Sequence, residues 1–138
     1  MKKLEIEAVK ENLNDVLSFV VSALEEAGCS QADLFKIKLC TEEIFINVAS
    51  YAYYPETGPA TIILDVSGGP VVVMLQFIDK GVPFDPLSKP DPVRNRPLRE
   101  AKKGGMGIFI TKTYMDEVSY DRKDGQNILT MKKAVVIG

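Results

Sequence analysis

Apolar and charged residues alternate at the start of the chain, where Leu4, Ile6 and Ala8 are separated by glutamates, the period-two pattern of a short half-buried strand. The period then lengthens. Val16, Phe19, Val20, Ala23 and Leu24 recur at helical spacing and predict a helix over about 12–26, with Gly28 as its stop. Ser30 can cap a second, longer helix running to about residue 53, because its hydroxyl can accept a hydrogen bond from a free N–H of the first turn. After a proline-bounded break at 55–59, the β-branched runs 61–67 and 71–79 flank Gly68-Gly69-Pro70 and predict a hairpin. A helix over about 107–115 follows a long loop, and strands near 117–122 and 127–132 flank the turn Asp124-Gly125.

The order βααββ, loop, αββ predicts an α+β fold, a two-layer α/β sandwich with helices on one face of a mostly antiparallel sheet. At 138 residues the chain is expected to be a single domain, 1–138, with a sizeable core. The segment from 81 to 104 interrupts the pattern. Five of the eight prolines fall there, which argues against a regular helix or strand. From 85 to 103 it carries six basic residues, including Arg94, Arg96 and Arg99, against three acidic ones. A loop of that length inside a compact domain is usually functional or mobile.

Composition narrows the chemistry. A net charge of −2 argues against a nucleic-acid partner. The absence of a long apolar run or of a signal-peptide core predicts a cytoplasmic protein with no membrane segment. Cys29 and Cys40 are too few for a disulfide framework and are expected to be reduced, with Cys40 in the core. The chain has no histidine, so Ser-His-Asp and Cys-His nucleophile systems and His-ligated zinc are excluded. What remains is chemistry by carboxylates, amides, backbone N–H groups or a bound ion.

Three segments supply such groups. In Glu43-Ile44-Phe45-Ile46-Asn47, the carboxylate and the amide are one helical turn apart, on the flank of a buried stripe of Ile37, Ile44, Val48 and Ala52. Phe45 and Ile46, beside that stripe, read as core or interface. Asp79 closes an apolar strand and precedes Gly81, and a carboxylate there can accept from an exocyclic amine such as adenine N6. Gly104, Gly105 and Gly107 open a helix, whose unpaired N–H groups and dipole suit phosphate. Each segment alone also has an ordinary reading: a solvated helix edge, a turn aspartate, a flexible linker. The basic residues of the loop can neutralise phosphate charge or simply be solvated. No Gly-Lys-Ser/Thr follows the glycines, so this is not a Walker A loop.

Together the segments resemble the motif boxes of the GHKL ATPase superfamily of gyrase B, histidine kinases and MutL. Within it they are most similar to the anti-sigma regulatory factors, serine-protein kinases of the RsbW and SpoIIAB type. Glu43–Asn47 matches the N box, Asp79-Lys80-Gly81-Val82-Pro83-Phe84-Asp85 the first glycine box, and Gly105-Met106-Gly107-Ile108-Phe109-Ile110 the second. Thr113-Tyr114-Met115-Asp116-Glu117-Val118 is also similar to that family, and the likeness spans about 34–133. The resemblance implies the histidine-kinase-like ATPase fold, ATP and Mg²⁺ as cofactors, and a mobile ATP lid at about 85–103. It implies Glu43 as general base, Asn47 as Mg²⁺ ligand and Asp79 as adenine contact. Gly81 would let the base pack closely, Gly105 and Gly107 would lie against the phosphates, and Met106 would be cofactor-binding with them.

The implied function is a serine/threonine protein kinase that phosphorylates an anti-sigma factor antagonist and otherwise sequesters a sigma factor, in a family whose members often form homodimers. Two departures stand out. Tyr51 occupies a position where many relatives carry histidine. In the last strand Thr130 is matched to a threonine that relatives place near the nucleotide, with Gln126 and Asn127 departing from the pattern beside it. Two other readings stay open: a nucleotide-gated binding module without phosphotransfer, and the detached ATPase half of a histidine kinase.

Overall fold

A computed structural model describes residues 1–88 and 105–137. Strand β1 (Lys2–Glu7) leads through a short 3₁₀ turn into helix α1 (Leu13–Ala27) and then α2 (Gln31–Asn47). The hairpin of β2 (Pro59–Ser67) and β3 (Val72–Asp79) follows, then α3 (Gly105–Tyr114), β4 (Glu117–Lys123) and β5 (Gln126–Ala134). The expected elements are all present, within a few residues at their ends.

The helix boundaries have local causes. Gly28 ends α1 in the left-handed region at φ 82°, where its N–H reaches back to the carbonyls of Leu24 and Glu25. Ser30 caps α2 by accepting from the Asp33 N–H, 3.3 Å away. Asp33, nearly buried, in turn accepts from the Ser30 hydroxyl and from the N–H of Val136, tying the last described residues to the start of α2. At the other end the expected helix to residue 53 is not a regular α-helix throughout: Val48–Ala52 form a π turn. Its wider repeat changes the faces that Tyr51 and Ala52 present.

The five strands form one sheet in the order β1-β2-β3-β5-β4, antiparallel throughout. Hairpin β4–β5 is therefore placed with β5 against β3, which makes β3 the central strand. Asp124 and Gly125, at φ 53° and 75°, make the tight turn of that hairpin. Alternation sorts the side chains of the two inner strands. Val73, Leu75, Phe77 and Asp79 of β3, and Asn127, Leu129 and Met131 of β5, are buried beneath the helices. Gln76 and Thr130 lie on the opposite, open face and bond each other there, 3.1 Å apart.

The core between the two layers joins Val16, Val20 and Leu24 of α1, Ile37, Cys40, Ile44 and Phe45 of α2, and the inward strand residues. Ile37, Ile44 and Ala52 of the expected stripe are buried, as is Phe45, whereas Val48 and Ile46 are half-buried. Both cysteines are free and buried. The structure thus positions two polar residues, Asp79 and Asn127, at the ends of otherwise apolar inward columns.

Candidate nucleotide site

Between α2 with its π turn and the sheet lies a cavity of about 220 Å³. Ile44, Val48 and Ala52 line it from the helical side, Phe77 and Leu129 from the sheet, and Val82 and Phe84 from the loop after β3. Its polar groups are few: Asn47, Asp79 and Asn127, with the rings of Tyr51 and Tyr120. Pockets for whole ligands usually measure about 300–1,000 Å³, so this one suits a flat heterocyclic base rather than a complete nucleotide.

Asp79 is buried at the end of β3, and its Oδ1 accepts from the Gly81 N–H and from Asn127 Nδ2, each at 2.9 Å. Among the described residues nothing donates to Oδ2. Gly81 has a packing role of its own. A Cβ at this position would lie 2.1 Å from the Ala52 carbonyl oxygen, so the loop after β3 rests directly on the backbone of the π turn. The Val82 N–H donates to the same carbonyl, and Arg122 Nη1 donates to the Gly81 carbonyl from β4. Tyr53 adds a further tie, its hydroxyl accepting from the Lys80 N–H and donating to the Pro59 carbonyl.

Glu43 does not line the cavity; it lies one turn before Asn47 on α2, beneath α3. Gly107 sits over both. A Cβ there would fall 2.9 Å from Glu43 Oε2 and 3.5 Å from Asn47 Nδ2. Gly105 and Met106 stand with Gly107 in the first turn of α3. The buried Thr111 hydroxyl donates to the Gly107 carbonyl and holds that turn in place. Partial burial, and secondarily the charge of Glu42, push the Glu43 carboxyl above the ordinary carboxylate range. Among the described residues Glu43 has no hydrogen bond or ion pair. Neighbouring Cys40 is pushed up to about 11, chiefly by burial, so its thiol stays protonated and is no nucleophile.

The residues fit a nucleotide with its cation. No group of three or more His, Cys, Asp or Glu side chains that could hold a metal by itself occurs among the described residues. Mg²⁺, however, is commonly held by one or two protein oxygens together with substrate phosphates. Asn47 brings a side-chain amide to the first turn of α3, its Nδ2 3.5 Å from where a Cβ of residue 107 would lie.

Sequence reasoning brought Glu43, Asn47, Asp79, Gly81, Gly105, Met106 and Gly107 forward, and the fold gathers them along one seam between α2, the sheet and α3. It passed over Tyr120, Tyr53 and Arg122 and named Asn127 only as a departure beside Thr130. Thr130, matched to a nucleotide-proximal threonine, is instead on the open face, and Asn127 occupies the inward position opposite Asp79. The greater part of the expected lid, residues 89–103, and Gly104 lie outside the described residues.

A helical layer on an antiparallel sheet, with a base-sized pocket at their seam and a glycine-opened helix beside it, defines the architecture of a nucleotide-binding ATPase domain. A family model for the histidine kinase-like ATPase domain matches residues 6–133, and the chain belongs to that family. Within it the chain is similar to the serine/threonine-protein kinase BtrW of Bordetella bronchiseptica, 35% identical over 97 residues covering 70% of this chain and 68% of BtrW. It is 23% identical to a serine-protein kinase RsbW of Bacillus cereus over 134 residues, covering 94% of this chain and 82% of that protein. Two solved structures share the fold. The RsbU and RsbW domains of a Mycobacterium tuberculosis protein superpose with a TM-score of 0.64 at 16% identity over 98% of this chain, which spans only 33% of that longer one. The SiaB–SiaC complex of Pseudomonas aeruginosa gives 0.56 at 15% identity, covering 96% and 89% of the two chains. No helix among the described residues is long and apolar enough to cross a membrane.

Proposed function

We propose that this chain is an ATP- and Mg²⁺-dependent serine/threonine protein kinase that phosphorylates an anti-sigma factor antagonist and acts as an anti-sigma regulatory factor in the cytoplasm. The observation that carries the reading is the convergence of three distant segments. Asn47 and Asp79 line one cavity, and Gly107 packs over Glu43 and Asn47. Similarity to the kinases BtrW and RsbW supports the phosphotransfer part.

In this reading the base enters between Ile44 and Val48 on one side and Phe77 and Leu129 on the other, and Asp79 accepts from its exocyclic amine. The first turn of α3, with Gly105, Met106 and Gly107, turns free N–H groups toward the phosphates. Asn47 contributes an oxygen to the cation. ATP with Mg²⁺, when bound, supplies the phosphoryl group and neutralises its charge. Glu43 takes the proton from the acceptor hydroxyl; its raised basicity is the direction that favours this role. Sequestration of a sigma factor belongs to the same proposal.

The test is phosphate transfer from γ-labelled ATP with Mg²⁺ to candidate antagonist proteins, by the wild type and by Glu43→Ala. The expected result is an acid-stable label on serine or threonine in the first case and none in the second, with ATP still bound by both. Binding of ATP without transfer to any antagonist would make the protein a nucleotide-gated binding module. An acid-labile label would point to histidine phosphorylation on another chain.

A further inference from the structure

Asn127 is buried, lines the cavity and pairs in register with Asp79 across the two inner strands. Its side-chain amide makes four hydrogen bonds. Nδ2 donates to Asp79 Oδ1 at 2.9 Å and to the Val82 carbonyl at 2.8 Å. Oδ1 accepts from the Tyr120 hydroxyl and from the Phe84 N–H, the latter at 3.4 Å. The partners fix the orientation of the amide without ambiguity. A backbone carbonyl can only accept and a backbone N–H can only donate, so the NH₂ must face Val82 and the oxygen must face Phe84. The amide therefore meets Asp79 as a donor.

Two consequences follow. The amide has both donors and both acceptor sites engaged within the protein, which leaves it no capacity for a ligand. Asp79 Oδ1, for its part, already takes two donors, the Gly81 N–H and Asn127 Nδ2. The carboxylate is thereby held in one rotation, and Oδ2 is the oxygen left for whatever enters the cavity.

Resting on the reading that the cavity takes a purine base, we propose that Asn127 is a specificity-determining positioning residue: it pins Asp79 so that the remaining carboxylate oxygen meets a 6-amino group. The pocket then accepts 6-aminopurines and rejects 6-oxopurines, whose carbonyl would face a carboxylate with no proton between them. Asn127 also links this choice to the loop after β3 through Val82 and Phe84, so that loop and carboxylate are set by one side chain.

The experiment is calorimetric titration of the full chain, with Mg²⁺, by three triphosphates: ATP, inosine triphosphate and purine riboside triphosphate, which lacks any 6-substituent. For Asn127→Leu, ATP affinity should fall about tenfold or more, the size of one hydrogen bond to a charged group. Affinity for purine riboside triphosphate should fall only by the part the loop contributes, so that the loss for ATP exceeds it at least about threefold, roughly 0.7 kcal/mol. Asn127→Thr, whose hydroxyl can donate to Asp79, should recover most of the preference for ATP over inosine triphosphate. Asn127→Ala, which leaves room for water to pair Val82 and Phe84, serves if the leucine variant does not fold, with the same expectation. An equal loss for ATP and purine riboside triphosphate, or an unchanged ATP preference, would overturn the proposal and leave Asn127 a purely structural residue. Asp79→Asn separates the two levels. If it binds ATP as the wild type does, the base-binding reading itself fails. If it loses ATP while the Asn127 variants keep their preference, only the role of Asn127 fails.

Discussion

Gly107 of α3 rests on Glu43 of α2, and a single added carbon at position 107 would lie 2.9 Å from the carboxylate oxygen Oε2 and 3.3 Å from Glu43 Cβ. The crowded oxygen is the far end of a flexible side chain, so it can move aside. Alanine also favours a helix over glycine by about 1 kcal/mol. Gly107→Ala should therefore leave stability within about 1 kcal/mol of the wild type. With Glu43 in its proposed role of general base, the phosphotransfer rate should fall roughly ten- to hundredfold, because its carboxylate is displaced by the order of an ångström. Denaturant unfolding and a transfer assay on the same samples check the two halves.

Gly81 presents the opposite case. The atom that a Cβ would meet, at 2.1 Å, is the backbone carbonyl oxygen of Ala52, which already accepts from the Val82 N–H and cannot swing away. Gly81→Ala should destabilise the fold by ~1–3 kcal/mol, the usual range for overpacking. Nucleotide affinity should fall with it, since the loop bearing Val82 and Phe84 borders the cavity. Equal midpoints of urea unfolding for the two proteins would contradict this.

The raised basicity of Glu43 has a pH signature. In its proposed role as general base Glu43 works only when ionised, so transfer should fall as pH drops through a value above the ordinary carboxylate range. Glu42→Gln removes the second cause and should move that acid limb to lower pH, leaving the larger effect of burial. The stability sign is the reverse of a salt-bridged acid. A carboxyl that binds its proton more tightly when folded favours the folded state below its unfolded pKa, and that contribution is lost as pH rises through the folded pKa. Glu43→Gln should thus be at least as stable as the wild type at neutral pH while transferring no phosphate. Unfolding curves at acid and neutral pH, beside a pH–rate profile, read both.

Local chemistry made much of this fold legible. Ser30, Gly28 and Asp124-Gly125 each mark a boundary through one hydrogen bond or one backbone conformation, and those signals survive folding unchanged. The π turn at Val48–Ala52 was not legible, because a regular helical period fits the same apolar residues. The insertion of β5 between β3 and β4 was hidden for a different reason: a hairpin's pattern does not say which strand meets the sheet. At the site, Glu43, Asn47 and Asp79 stood out as candidates by spacing and by position at element ends, and drew their roles from the likeness to the family's motif boxes. Asn127 did not, although a signal existed. It shares strand parity with Leu129 and Met131, and an amide at a buried parity position needs partners. Thr130 has the opposite parity and faces away.

In the proposed function the loop after β3 and the first turn of α3 serve one bound nucleotide. Amide hydrogen exchange with and without saturating Mg²⁺-ATP tests it most directly. Slowed exchange is expected at 79–84 and 105–111 together, with α1 unchanged. Protection at neither segment, or at only one of them, in a folded and ATP-exposed sample would contradict it.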